Sequence, residues 1–172
     1  DIVITAGGTR EFLDPVRFLG NSSSGKQGVA LAISARNRGA EVTLICGSTS
    51  VPLPVGVEIV NVITGEDMLA AVLNCATNAD VIVMAAAVAD YKPKVRHTTK
   101  MKKSADGLVP SIELERTVDI LADLVIHRDT SHPDQLIVGF AAETGDDKGS
   151  VLEHGIAKLQ RKGCDLLVIN EV

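Results

Sequence analysis

Short aliphatic runs alternating with helix-spaced segments constrain this chain more than any other feature. Ile2–Ala6 reads as a continuous apolar strand, Ser24 stands as N-cap for a helix over roughly Gly25 to Arg38 that Gly39 stops, and Val42–Cys46 returns to strand. A second unit follows. Val57–Val62 reads as a strand, Thr64 with Asp67 forms a capping-box pattern ahead of a helix through about Thr77, and Val81–Ala85 reads as a buried strand. After a long irregular section come an edge strand at Leu108–Leu114, a helix over Val118–Ile126 and a strand at Leu136–Phe140. A helix from about Ser150 to Arg161 and a strand at Leu166–Ile169 complete the pattern. It predicts an α/β protein with a Rossmann-like three-layer fold, a mostly parallel central sheet and a ligand crevice beyond the carboxyl ends of the strands.

Composition agrees with that layout. The 172 residues suit one domain, hydrophobic residues at 45% fill its core, and aromatics at 2% leave the packing to aliphatic side chains. A formal net charge of −5 argues against a general nucleic-acid binder. Cys46, Cys75 and Cys164 lie far apart in apolar surroundings without a C-x-x-C pattern, which predicts reduced, buried thiols in a cytoplasmic protein. No apolar run reaches membrane-spanning length, and no signal-peptide pattern opens the chain. The first residue, Asp1, falls inside a strand with no methionine ahead of it, as expected of an excised piece.

The glycine- and serine-rich run Gly20-Asn21-Ser22-Ser23-Ser24-Gly25-Lys26-Gln27-Gly28 leads straight into the first helix. Unpaired amides and the positive end of a helix dipole favour an anion there, so phosphate or nucleotide handling is the first expectation. It is not a P-loop, because Gln27 stands where that motif needs the hydroxyl that ligates magnesium. Nor does Gly7-Gly8-Thr9-Arg10 supply the G-x-G-x-x-G of a dinucleotide site.

Three strand ends face the predicted crevice: Thr5-Ala6-Gly7-Gly8, then Ala85-Ala86-Ala87-Val88-Ala89-Asp90-Tyr91, then Gly139-Phe140-Ala141-Ala142-Glu143-Thr144. The small residues Ala85 to Ala87 allow a flat ligand to approach the backbone, whose amides would read a base edge. Lys92, Lys94, Arg96, Lys100, Lys102 and Lys103 crowd into a dozen residues of an otherwise acidic chain. Beside a phosphate-binding loop, such an arm would close over a triphosphate and stabilise charge on a leaving pyrophosphate.

Five segments in order resemble phosphopantothenoylcysteine synthetase, the ligase of coenzyme A biosynthesis. They are Ile4-Thr5-Ala6-Gly7-Gly8-Thr9-Arg10-Glu11, Asp14-Pro15-Val16-Arg17-Phe18 with the serine loop, Ala86-Ala87-Val88-Ala89-Asp90-Tyr91, Lys100-Met101-Lys102-Lys103, and Val138-Gly139-Phe140-Ala141-Ala142-Glu143-Thr144. The resemblance implies that the carboxylate of 4′-phosphopantothenate attacks the α-phosphorus of CTP, releasing pyrophosphate. The amine of L-cysteine then displaces CMP from the acyl-cytidylate. It further implies that Asn21 contacts the acyl-cytidylate, that Arg17 takes the substrate phosphate or carboxylate, and that Ser22, Ser23, Ser24 and Gly25 wrap phosphate oxygens. Lys100 would engage the triphosphate, helped by Lys102 and Lys103. Ala86, Ala87 and Phe140 would frame the cytosine, with Gly7 among the binding positions. Asp90 would hold ribose hydroxyls or, through water, an Mg2+ ion riding on the nucleotide.

The same resemblance implies a homodimer in which Asn21 of one chain meets the base pocket of another, and fusion to a flavin-dependent phosphopantothenoylcysteine decarboxylase. The whole chain, 1–172, is expected to be one nucleotide-binding synthetase domain that lacks the family's C-terminal strands. Val118 replaces the proline that many relatives carry at the start of a helix. The alternative is an NAD(P)-dependent Rossmann oxidoreductase. Against it, Tyr91 is followed four positions on by Val95 and not by the lysine of short-chain dehydrogenases.

Overall fold

Residues 1–102, 109–145 and 149–171 are described by the structure, a computed structural model. Six strands form one parallel sheet: β1 (Ile2–Ala6), β4 (Val42–Cys46), β5 (Glu58–Asn61), β6 (Val81–Met84), β9 (Leu136–Glu143) and β10 (Leu166–Glu171). Two small antiparallel ribbons stand outside it, β2 (Glu11–Phe12) with β3 (Phe18–Leu19) and β7 (Tyr91–Pro93) with β8 (Leu114–Arg116). The helices are α1 (Lys26–Asn37), α2 (Gly65–Ala76), α3 (Ile120–Ser131) and α4 (Val151–Lys162).

The sheet runs β10-β9-β6-β1-β4-β5, so the chain winds outward from β1 to one edge, returns to the centre at β6 and winds to the other edge. That is the doubly wound order, and its switch point lies between β1 and β6, which pair from Ile2 with Val81 to Thr5 with Met84. The pleat explains why continuous aliphatic runs were needed. Side chains alternate across the sheet, so Val3 joins Ile45, Ile82 and Ile137 under α2 and α3, while Ile4 and Leu44 join Val29 and Ala32 of α1 on the opposite face. Burying each such Ile or Leu contributes on the order of 1.5–3 kcal/mol.

Most expected elements fall where the sequence pattern puts them, and the differences have local causes. Ser24 does not cap α1: the N-cap is Gly25, in the left-handed region at φ 75°, with no side-chain hydrogen bond to the helix. A Cβ there would stand 2.5 Å from Thr49 Cγ2, so the loop needs both the positive φ and the missing side chain. The edge strand expected at Leu108–Leu114 is displaced; its residue Leu108 lies outside the described residues, and the strand found is Leu114–Arg116. Its register is set by pairing with Tyr91–Pro93, a partner that local propensity does not reveal. The third helix starts at Ile120 behind the N-cap Asp119, so Val118 precedes the helix and proline's preset would act outside it.

Candidate active site

The crevice above the switch point is built by threonines. Thr5 Oγ1 accepts the Ala86 N–H at 3.0 Å and Thr9 Oγ1 accepts the Ala89 N–H at 2.9 Å, both from fully buried side chains. Gly7 and Thr9 add backbone bonds to Ala87, the Ala87 N–H donating to Gly7 O at 2.8 Å and the Thr9 N–H to Ala87 O at 3.2 Å. The loop after β6 is therefore pinned along the loop after β1. This corrects one expectation: the amides of Ala86 and Ala87 are already engaged and do not stand ready to read a base edge.

Asn21 reaches across from the serine loop, its Nδ2 donating to Val88 O at 3.0 Å. Thr117 closes the far side, its N–H donating to Asp90 O at 3.0 Å and its hydroxyl to Ala89 O. Gly28 lets α1 lie against β1, because a Cβ on it would meet Ala6 Cβ and Thr5 O at 2.6 Å. The four described helices differ at their starts. Thr64 with Asp67 and Ser150 with Glu153 form complete capping boxes on α2 and α4, and Asp119 accepts from Ala122 N–H at 3.2 Å on α3. By contrast, α1 has neither a side-chain cap nor an acidic residue in its first turn. Ser23 and Ser24 hydroxyls stand 3.4 Å from the Gly25 and Lys26 amides, too long to satisfy them well. Two helix starts open on the crevice, those of α1 and α3, and of these α1 is the one left short of acceptors.

These pieces enclose a cavity of about 880 Å³. Asn21 to Gly28, Met84 to Tyr91, Arg116 to Leu121, Phe140 to Ala142, Lys158, Lys162 and Asn170 line it. Of the residues expected from sequence, Asn21, Ser22, Ser23, Ser24, Gly25, Ala86, Ala87, Asp90 and Phe140 are brought together there. Gly7 is buried beneath, at φ 78°, where a Cβ would meet Ser48 O at 2.5 Å. Arg17, Lys100 and Lys102 do not line the cavity, and Lys103 lies outside the described residues. Asn21 and the two alanines expected to frame the base, Ala86 and Ala87, line one cavity of a single chain.

Sequence reasoning missed the cations on the opposite wall. Lys158 of α4 pairs with Glu143 at 2.8 Å, and Lys162 pairs with Asp119. Partial burial opposes ionisation of Asp119, but Lys162, the Ala122 N–H and Arg161 outweigh it and hold the carboxyl below its ordinary value. Lys158 and Lys162 are spaced at i, i+4 on one helix face, which was the available signal. Gln27 and Asn170 were also missed; they join the first turn of α1 to the end of β10, Asn170 Nδ2 donating to Gln27 Oε1 at 3.1 Å. Burial pushes the thiols of Cys46, Cys75 and Cys164 upward, which makes them poor nucleophiles, and all three are free.

Sheet order, crevice and cavity define a doubly wound α/β protein with its ligand cleft at the switch point. The family described as DNA/pantothenate metabolism flavoprotein C-terminal domain matches residues 1–172, and the chain belongs to it. It is 55% identical over 174 residues to the Coenzyme A biosynthesis bifunctional protein CoaBC of Mycobacterium tuberculosis, covering 99% of this chain and 41% of that protein. The corresponding protein of Bacillus subtilis is 46% identical over 173 residues, with 99% and 40% covered. The chain thus spans about two fifths of these relatives. Among solved structures, the crystal structure of the C-terminal domain of Coenzyme A biosynthesis bifunctional protein CoaBC superposes with a TM-score of 0.80 at 44% identity, covering 99% of this chain and 76% of that one. The family match bears out the resemblance read from the sequence and not the dehydrogenase alternative.

Proposed function

We propose that this chain is the ligase that joins 4′-phosphopantothenate to L-cysteine at the expense of CTP, acting in the cytoplasm. One observation carries the reading: the serine loop with its acceptor-poor helix start, the alanine loop, Phe140 and two lysines of α4 meet around one cavity large enough for a nucleotide. A carboxylate is a poor acylating agent until its oxygen is part of a better leaving group. The substrate carboxylate attacks the α-phosphorus, the bond to the pyrophosphate oxygen breaks, and pyrophosphate leaves. The cysteine amine then attacks the acyl carbon, CMP departs with the C–O electron pair, and the amine loses its proton. No covalent protein intermediate is required, so the protein's task is placement and charge stabilisation.

In this reading the amides of residues 25–28 and the Ser22, Ser23 and Ser24 hydroxyls receive phosphate oxygens. The Ala86–Ala87 backbone and Phe140 flank the base. Asn21, held by Val88 O through its amide nitrogen, keeps its carbonyl oxygen for the acyl-cytidylate and the incoming amine. Lys158 and Lys162 shift from Glu143 and Asp119 towards phosphate charge when the nucleotide enters. Asp90, which lines the cavity, would offer one carboxylate to an Mg2+ that arrives on the triphosphate. Such an ion would draw charge from the phosphate oxygens.

Arg17, Lys100 and Lys102 complete the site in a homodimer, where they serve the partner's cavity. We infer that the chain belongs to a bifunctional protein whose other activity is the flavin-dependent decarboxylation of the product. Among the described residues no helix is long and apolar enough to cross a membrane. The reading is tested by melting the protein with CTP and Mg2+, and by assaying pyrophosphate release with 4′-phosphopantothenate before cysteine is added. A rise in melting temperature with CTP but not NADP, and cysteine-independent pyrophosphate release, are expected. Stabilisation by NADP alone, or CTP binding without pyrophosphate release, overturns it.

A further inference from the structure

Asp14 is a carboxylate with no exposed side-chain surface, and none of the steps above uses it. Its Oδ1 accepts the N–H groups of Val16 and Arg17, both at 2.8 Å, which closes the turn ahead of the serine loop. An asparagine would close that turn equally well. The second oxygen is what requires an acid: Oδ2 accepts the Met101 N–H at 3.1 Å and lies 3.4 Å from Arg17 Nη1. Arg17 Nη2 in turn donates to Met101 O at 3.3 Å. One residue of the lysine strip is thereby gripped by its N–H and its C=O, 87 positions away in sequence from the acid. Further along, the His97 N–H donates to Leu13 O at 2.8 Å and Arg96 lies over the Phe12 ring at 5.2 Å. The strip before Lys102 is docked on the β2–β3 ribbon, with Lys100 and Lys102 on either side of the gripped residue.

We propose that Asp14 is a positioning residue for the ligase reaction: it locks the Met101 peptide to the Arg17 turn and so holds Lys100 and Lys102 where they meet the nucleotide. This rests on the proposed CTP-dependent function. An interaction that exists to place cations should, when lost, weaken nucleotide binding without unfolding the protein or altering cysteine capture. Asp14→Asn keeps the turn but sets an NH2 group against the Met101 N–H and the Arg17 guanidinium. Met101→Pro removes the other partner, the strip's N–H, and leaves Asp14 untouched.

The test measures both variants and their double in the purified protein. Loss of a hydrogen bond to a buried charge predicts a rise of about tenfold in KM for CTP in each single variant, with KM for cysteine within about twofold of wild type. Both remove the Asp14–Met101 link, and Asp14→Asn also loosens Arg17, so the double variant should match Asp14→Asn and not multiply the two effects. Trypsin cleavage after Lys102 in the ligand-free protein should also accelerate about tenfold in each. Unchanged cleavage, unchanged KM for CTP, or effects that multiply in the double variant overturn the proposal. If Asp14→Asn does not fold, Met101→Pro against wild type decides by the same two readouts. A wild-type protein that releases no pyrophosphate from CTP sinks the functional reading and the catalytic half of this one, while the cleavage rates still decide whether Asp14 grips the strip.

Discussion

Thr9 carries an unusual share of the site's geometry for one side chain. It is 1% exposed, its hydroxyl holds the Ala89 N–H and its own N–H holds Ala87 O, so it fixes two residues of the loop that ends in Asp90. Thr9→Val keeps the shape and removes the acceptor, leaving a buried amide unpaired at a cost of about 1–3 kcal/mol. For a domain of this size that is a fall of roughly 2–4 °C in melting temperature per kcal/mol, and Thr9→Ser should recover most of it. Equal melting of wild type and Thr9→Val in a thermal scan would contradict this role. Such a residue is illegible in sequence for a plain reason. Thr5 and Thr9 look like ordinary β-branched residues at the end of a strand, and what they do depends on amides 81 and 80 positions later. The serine loop was legible because its chemistry is local: glycines, hydroxyls and a helix start in one short stretch.

At the scale of elements, the sequence speaks through caps and periods. Thr64 and Asp67 form the reciprocal capping box expected of them, Thr64 Oγ1 accepting the Asp67 N–H at 3.1 Å and Asp67 Oδ2 accepting the Thr64 N–H at 2.9 Å. The Thr64 N–H, joined by the Thr64 hydroxyl and the Ile63 N–H, holds the Asp67 carboxyl below its ordinary value of 3.8 against the opposing effect of desolvation. A carboxyl with a lower value folded than unfolded contributes stability that is present above the unfolded value and fades as pH falls through the folded one. Asp67→Asn should thus cost stability near neutral pH, with the difference from wild type shrinking as pH drops below 3.8. Urea unfolding of both proteins across that range measures it; a gap that stays constant or widens on acidification refutes the assignment. Where caps and periods were absent, the sequence misled. The strand expected at Leu108–Leu114 was displaced because a three-residue ribbon is fixed by its partner Tyr91–Pro93 and not by its own residues.

Across the whole molecule, a parallel sheet with helices on its faces follows from the alternation of strands and helices, whereas whether the proposed site is shared between two subunits does not. Two groups of functional candidates are spatially distinct: Asn21 lines the cavity with the alanine loop, while Arg17, Lys100 and Lys102 stand outside it, tied together through Asp14 and Met101. If the second group serves a partner's cavity, two inactive variants should restore each other. In a heterodimer of Asn21→Asp with Lys100→Gln, one site receives both substitutions and the other receives neither. Random mixing makes half of the dimers mixed, each with one intact site of two, so about a quarter of wild-type ligase activity should return. A site confined to one chain carries a substitution in every copy and recovers nothing. Co-refolded equimolar variants, assayed for phosphopantothenoylcysteine against each variant refolded alone, separate the two arrangements, and zero recovery in dimers verified as mixed rules out the shared site.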